Sequence, residues 1–370
     1  MNAYPFTPLA GRLPASVPFV GPEAQERAAG RAFEARLGAN ENGFGPSPKA
    51  VAALRDAATA AWKYGDPEAW QLRRALAIRH SIPVQRIVVG EGIDGLLGYL
   101  VRLLVREGVD VVTSDGAYPT FNYHVAGYGG TLHKVPYKDD REDLAGLAQA
   151  AREHEASLVY VSNPDNPMGT WHGAEAVALF ARSLPDRCVL CLDEAYCEFA
   201  PSSAVPGWDD LPDNVLRMRT FSKAYGLAGM RVGYAIGHPD LVRAFDKVRN
   251  HFGLGGPAQV AATAAIGDDD HLVRTITDVA RARKRICEIG SANGLVPIEG
   301  AANFQTLDTG RDGAYARALG RSLAESGIFV RMPFVAPQDR CIRVSAGPDD
   351  ELDLFGERLP EALRSAETLA

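Results

Sequence analysis

The chain has 370 residues, of which 46% are hydrophobic, enough for a full core and more than the usual size of one domain. Its formal net charge is −7 and no run of Lys or Arg forms a stripe, which argues against nucleic acid and anionic membranes as partners. The five cysteines, Cys188, Cys191, Cys197, Cys287 and Cys341, are an odd number, and the single C-x-x-C of Cys188 and Cys191 has no second such pair and no histidine-ligand spacing beside it. They read as reduced thiols of a cytoplasmic protein without a metal centre. The opening stretch is broken by prolines where a signal peptide needs an unbroken apolar run, and nothing reads as a transmembrane span.

Residues 1–36, rich in Pro, Gly and Ala, read as an extended arm of the kind that lies across a partner subunit, with a helix-like segment from Ala24 to Leu37. The loop Leu37-Gly-Ala-Asn40-Glu-Asn-Gly-Phe-Gly-Pro-Ser47-Pro48 presents asparagine side chains, and Ser47-Pro48 starts a helix expected to reach about Trp62. A turn at 63–67 contains Tyr64 and precedes an amphipathic helix from Trp70 to His80.

Arg86 to Val89 reads as a short buried strand, followed by Gly90-Glu91-Gly92-Ile93-Asp94-Gly95 and an apolar helix from Leu96 to Val105. This is G-x-G-x-x-G between strand and helix, with acidic Asp110 and Asp115 further on, so an NAD-dependent oxidoreductase is one reading. Either way the chemistry is anion binding: glycines let backbone N–H groups approach a phosphate where the helix dipole favours it. Glu91 adds a carboxylate expected to repel a second phosphate.

A strand from Val111 to Thr113 leads into Asp115-Gly-Ala-Tyr-Pro-Thr-Phe121-Asn-Tyr-His124, in which Phe121 is either a core residue or the face of a binding site. The stretch Lys138 to Glu155 reads as a charged, helical, solvent-facing connection. Next comes a buried strand from Ser157 to Ser162, closed by Asn163-Pro164-Asp165-Asn166-Pro167-Met168-Gly169, where two Asn-Pro steps make a rigid loop able to aim an amide. The strand Cys188 to Leu192 delivers Asp193-Glu194-Ala195-Tyr196. An aspartate at the end of a buried strand needs a cation.

The strand from Val215 to Met218 runs out into Thr220-Phe221-Ser222-Lys223, and a second apolar run, Val232 to Ile236, follows Arg231. A lysine semi-buried among hydroxyls and an arginine can have its pKa lowered, as an amine that attacks carbonyls requires. Thr220, Ser222 and Arg231 suit a phosphate dianion. Residues 249–257 read as a flexible turn before the helix Ala258 to Ile266, and a long helix spans His271 to Ser291. Strands at 303–309, 328–332 and 341–346, a helix from Ala314 to Ser326 and a C-terminal helix make a small α/β domain that carries Arg331 and Arg343.

The segment T-F-S-K-A-Y-G-L-A-G-M-R-V-G resembles the lysine segment of fold-type-I pyridoxal-phosphate enzymes, the class I and II aminotransferases. N-P-D-N-P-M-G resembles their Asn-Pro loop, and N-E-N-G-F-G-P-S-P is similar to a loop of the histidinol-phosphate branch. The resemblance implies an α/β, fold-type-I pyridoxal 5'-phosphate transferase with a mostly parallel seven-stranded sheet between helices in a large domain, 45–270. An arm at 1–44 and the segment 271–370 would form the small α/β domain. It implies that Lys223 forms a Schiff base with the cofactor, with Asp193 on the pyridine nitrogen and Asn166 and Tyr196 on the phenolic oxygen. Gly92, Ile93, Asp94, Thr220, Ser222 and Arg231 would hold the cofactor phosphate, with Tyr64 reaching across a homodimer, and Phe121 would stack on the ring. Asn40, Arg331 and Arg343 would meet the substrate, with Phe19 where the arm of that branch often has a tyrosine. The implied reaction moves an amino group between an amino acid or histidinol phosphate and a 2-oxo acid. An aromatic aminotransferase and a decarboxylase are the alternatives on the same scaffold.

Overall fold

The computed structural model describes residues 4–15 and 20–369, so Phe19 lies outside the described residues. Among the described residues twelve strands appear in chain order: β1 (Ala35–Arg36), β2 (Ile87–Glu91), β3 (Asp110–Ser114), β4 (Thr131–Val135), β5 (Leu158–Ser162), β6 (Val189–Asp193), β7 (Val215–Thr220), β8 (Val232–Ile236), β9 (Val296–Pro297), β10 (Phe304–Asp308), β11 (Ile328–Phe329) and β12 (Cys341–Ser345). β2 to β8 form one seven-stranded sheet in the order β2-β8-β7-β6-β5-β3-β4. β7, β6, β5, β3 and β4 run parallel, and β8 is antiparallel to both of its neighbours.

The strand residues alternate between two buried faces, which is why these segments read as unbroken apolar runs. Leu158, Tyr160, Cys191, Leu216 and Met218 pack on one face with the helices Gly92–Leu104 and Pro119–Gly127. Val159, Val161, Leu190, Leu192 and Val215 pack on the other with the helices Leu144–Glu153 and Ala174–Ser183. Each fully buried Leu or Val contributes about 1.5–3 kcal/mol relative to exposure.

The antiparallel sheet β12-β10-β9 packs against the helices Asp269–Ala292, Gly313–Glu325 and Asp349–Leu369. β1 pairs in parallel with β11, which stitches the start of the chain to its C-terminal region.

Several sequence expectations are corrected. The Ala24 to Leu37 segment divides into a helix, Pro22–Ala29, and the strand β1, because Gly30 adopts a left-handed φ of 67° that ends the helix. The helix from Pro48 stops at Ala57 and ends in a 3-10 turn at Ala58–Ala60. The helix expected from Leu96 begins at Gly92. Residues 119–127 are a helix, started by Pro119 at its first turn. Among the described residues all five cysteines are free, no group of three or more His, Cys, Asp or Glu comes together as a metal site, and no helix is long and apolar enough to cross a membrane.

The dinucleotide reading fails on topology. That fingerprint needs two adjacent parallel strands joined by the helix. Here β2 is an edge strand whose one neighbour, β8, is antiparallel, and β3, which precedes Asp115, lies four strands further along the sheet than β8.

Candidate active site

Three strands end at one place. β5 ends at Ser162, β6 at Asp193 and β7 at Thr220, so the polar residues that follow them gather beyond the carboxyl edge of the sheet, where open α/β sheets bind ligands. The cavity there has a volume of about 360 Å³, within the roughly 300–1,000 Å³ range of small-molecule sites. Ile93, Asp94, Asn166, Asp193, Tyr196, Thr220, Ser222, Lys223, Arg231, Asn40, Arg331 and Arg343 all line it.

Lys223 sits three residues past the end of β7. Its Nζ donates to the Asn40 carbonyl at 2.9 Å and lies 5.6 Å from the centroid of the Tyr196 ring. Burial first, then the guanidinium groups of Arg343 and Arg231, push the amine down to about 8 from its ordinary 10.5. Asp193 is buried, accepts from the Tyr160 hydroxyl at 2.7 Å and from the Ala195 N–H at 2.9 Å, and is raised by burial to about 6.

Asn40 is a hub. It adopts a left-handed φ of 54°, tolerated by asparagine. Its carbonyl accepts from Lys223 and Asn303, its N–H donates to Ser345 Oγ, and its side-chain amide donates to the Tyr196 hydroxyl at 3.1 Å. Tyr196 is fixed on its other side by an edge contact with Phe304, ring centroids 5.5 Å apart, and burial raises its hydroxyl to about 12. Arg343 donates to Oδ1 of Asn166, which leaves the amide nitrogen of Asn166 as a donor facing the cavity.

At the other end the helix Gly92–Leu104 opens without a side-chain cap, so its first-turn N–H groups are available to an anion. Gly92 has φ of 72°, and a Cβ there would lie 2.7 Å from Nη2 of Arg231. Arg231 pairs with Asp94 at 3.4 Å and reaches Ser222 Oγ at 3.4 Å. Thr220 Oγ1 accepts from the Ser222 N–H at 3.0 Å, which shapes this corner.

Arg331 and Arg343 form an isolated antiparallel bridge between the segment after β11 and the centre of β12. Residues opposite each other in such a bridge project their side chains to the same side. Both arginines line the cavity; Arg331 also donates to the Val20 carbonyl at 2.6 Å. Burial lowers Arg343 to about 10, and burial lowers Arg331 too.

Two sequence expectations, for Phe121 and Glu91, are placed elsewhere. Phe121 is fully buried and stacks on Tyr160, centroids 4.7 Å apart and planes at 17°, because its helix turns it into the core together with Val125. The aromatic side chains that line the cavity belong to Tyr118, Tyr160, Tyr196 and Phe334, and Tyr118 donates to Asp94 at 2.8 Å. Tyr64, expected to reach a second subunit, is 86% exposed and tilted against Phe252, outside the cavity of its own chain. Glu91, expected to face a second phosphate, instead accepts from Tyr99 at 3.0 Å and faces Gly253, outside the cavity lining. Tyr118, Tyr160, Asn303 and Ser345 were not legible as site residues, since each stands in an ordinary apolar or strand context in sequence.

Comparison with known proteins gives a consistent result. A family model described as aminotransferase class I and II matches residues 35–359. A histidinol-phosphate aminotransferase of Moorella thermoacetica is 33% identical over 334 residues, 89% of this chain and 85% of that protein. An aromatic amino acid aminotransferase of Thermobifida fusca is 35% identical over 325 residues, 87% and 88% of the two chains. Among solved structures, the histidinol-phosphate aminotransferase of Sinorhizobium meliloti in complex with pyridoxal-5'-phosphate is 53% identical, with a TM-score of 0.96 over 98% of this chain and 99% of that one.

Proposed function

This chain belongs to the class I and II aminotransferases, and from that premise we propose that it moves the amino group of histidinol phosphate to a 2-oxo acid, with Lys223 as the catalytic amine. It is a pyridoxal 5'-phosphate-dependent aminotransferase of fold type I. The observation that carries the substrate is the bridged pair Arg331 and Arg343, in the same cavity as Lys223. Two arginines that stand opposite each other in the bridge carry like charges that repel, and a dianion held by both would remove the repulsion.

The residues fit the cofactor at each of its polar ends. The uncapped start of the helix Gly92–Leu104, with Ile93 and Asp94 N–H groups, Thr220, Ser222 and Arg231, suits its phosphate. The Asn166 amide and the Tyr196 hydroxyl suit its phenolic oxygen, and the buried carboxylate of Asp193 suits a protonated pyridine nitrogen. When bound, pyridoxal 5'-phosphate supplies an aldehyde that takes up the substrate amine and a ring that accepts the electron pair left as the Cα–H bond breaks.

Lys223 performs the proton work. Lowered to about 8, its amine is partly neutral near neutral pH, so it would be able to hold the cofactor through its aldehyde and to take the Cα proton of the substrate. The same amine would hand that proton back within the site, so no net proton would be lost. Asp193 would pair with a protonated pyridine nitrogen. Asn40, fixed by Ser345 and Asn303, holds the Lys223 ammonium through its carbonyl and the Tyr196 hydroxyl through its amide. Arg343 and Arg331 hold the anionic end of the substrate, which sets the Cα–H bond for transfer.

We also assign 45–270 to a large domain and 1–44 with 271–370 to the arm and small domain. A homodimer is part of this reading: exposed Tyr64, with Phe252 beside it, is free to reach a second copy. The decisive assay compares kcat/KM for histidinol phosphate, histidinol and aromatic amino acids, each with 2-oxoglutarate. A preference of about a hundredfold or more for the phosphorylated amine is expected; equal rates with histidinol, or a preference for an aromatic amino acid, overturns the substrate.

A further inference from the structure

Asp193 stands in an unfavourable place for a carboxylate. It is 4% exposed at the end of β6, and the acidic groups around it are Asp94 from the helix Gly92–Leu104, its own neighbour Glu194, Glu142 from the segment before the helix Leu144–Glu153, which burial pushes well up, and the Cys191 thiol on β6. Burial above all, and then the negative charge of Asp94 and Glu194, favours the neutral acid, which cannot pair with a protonated pyridine.

Among the described residues two donors reach its carboxylate, and they take one oxygen each. The Ala195 N–H meets Oδ1 at 2.9 Å and the Tyr160 hydroxyl meets Oδ2 at 2.7 Å. The backbone donor is dictated by the turn. The phenol is a matter of sequence: Tyr160 lies on β5, the parallel neighbour of β6, with Cys191 as its register partner. Its ring is 0% exposed and clamped in a stack on Phe121, so the hydroxyl has one fixed direction. It also lines the cavity.

We propose that Tyr160 is a positioning residue for Asp193: its phenol holds the carboxylate in one orientation and in its ionised form, ready to pair with the pyridine nitrogen. The inference rests on the reading of Asp193 given under Proposed function. The hydrogen bond to the charged form opposes the surrounding carboxylates, and a phenol achieves this without bringing a cation that would compete with the pyridinium. Phe121, expected to act on the cofactor directly, acts in this arrangement through the ring it supports.

The test uses the holoenzyme with Tyr160→Phe, which keeps the ring stack and removes the donor. Without the donor Asp193 protonates more readily, so the acid limb of the kcat–pH profile moves up by about one pH unit. KM changes less than about twofold. The dissociation constant for pyridoxal 5'-phosphate, from equilibrium titration of the apo protein, rises about tenfold. Incorporation of 3,5-difluorotyrosine at position 160, a stronger donor of nearly the same shape, moves the limb the other way and remains decisive if Tyr160→Phe does not fold. A merely structural role lowers the thermal midpoint and leaves limb and cofactor affinity in place, which overturns the proposal. Asp193→Asn serves as the control. If it keeps full activity and cofactor affinity, the reading of Asp193 itself falls; if it loses both while the Tyr160 variants match the wild type, only the role of Tyr160 falls.

Discussion

Arg331 and Arg343 exchange both backbone hydrogen bonds, the Arg331 N–H to the Arg343 carbonyl at 3.1 Å and the Arg343 N–H to the Arg331 carbonyl at 2.6 Å. Two cations are thereby fixed side by side at the wall of the cavity. Arg343 spends one N–H on Asn166 and one on the Gly38 carbonyl at 3.3 Å, and its buried Nε has no partner among the described residues. An unsatisfied buried donor on a cation is expensive, and an anionic substrate group satisfies it.

Replacing Arg343 therefore removes substrate binding in the transition state. Arg343→Gln is expected to lower kcat/KM for histidinol phosphate by about 3 kcal/mol, roughly a hundredfold, and Arg331→Gln by less. Steady-state kinetics of the two single variants and the double variant measure the coupling. A double variant no worse than Arg343→Gln places both arginines on one anion; strict additivity separates them.

The amine of Lys223 carries a pH signature. Its value of about 8 lies below the ordinary 10.5 through burial and the positive charge of Arg343 and Arg231. The folded protein therefore binds that proton less tightly than the unfolded chain, so Lys223 adds stability as pH rises from about 8 to 10.5. Covalent capture of pyridoxal 5'-phosphate by the apo protein should accelerate with pH through an inflection near 8. Removing the Arg343 charge moves that inflection upward. Stopped-flow absorbance reads both, and an inflection near 10.5 in the wild type contradicts the burial of the amine.

Glu194 ties β6 to β7 beneath the site. It accepts from Arg217 at 2.7 and 3.0 Å and from Arg219 at 2.8 Å, and Trp208 lies over both guanidinium groups at 4.1 and 5.1 Å. Glu194→Ala leaves two buried cations without their carboxylate. About 3–5 kcal/mol of destabilisation is expected, read as a lower thermal midpoint. An unchanged midpoint would show that the arginines find other partners.

Much of the site was legible because its chemistry sits at strand ends, where polar residues interrupt apolar runs: Asp193 after β6 and Thr220 to Lys223 after β7. The fold class followed from the same runs and the helices between them. What escaped were contacts made across the fold. Tyr160 reads as one more apolar strand residue, and nothing local says that its hydroxyl meets Asp193. Phe121 was misplaced because two residues of helix, unforeseen after Pro119, turn it from the cavity into the core. The left-handed turn at Asn40 joins it to Ser345, more than 300 positions away, a contact no spacing rule could supply.

Gly92 is required by geometry. Alanine there meets an unfavourable positive φ and places its Cβ 2.7 Å from Nη2 of Arg231. Gly92→Ala is expected to weaken cofactor binding about tenfold, or about 1.4 kcal/mol, with a smaller effect on kcat once the cofactor is saturating. Equilibrium titration of the apo variant checks this, and unaltered affinity would show that the helix start does not hold the phosphate.

Sharing of the site between subunits has its own test. Tyr64→Ala and Lys223→Ala homodimers are each expected to be impaired. Refolding the two together should restore activity, because half of the sites in a hybrid dimer receive an intact Tyr64 from one chain and an intact Lys223 from the other. No restoration in verified hybrids contradicts a tyrosine that crosses the interface.

The most direct measurement is a single-turnover absorbance experiment: holoenzyme is mixed with histidinol phosphate in the absence of any 2-oxo acid, and the bound cofactor spectrum is followed. Complete conversion of the aldehyde form to the amine form by the wild type, reversed on adding 2-oxoglutarate and absent in Lys223→Ala, is the predicted result. Conversion in Lys223→Ala at the wild-type rate, or none in the wild type with histidinol phosphate, would contradict it.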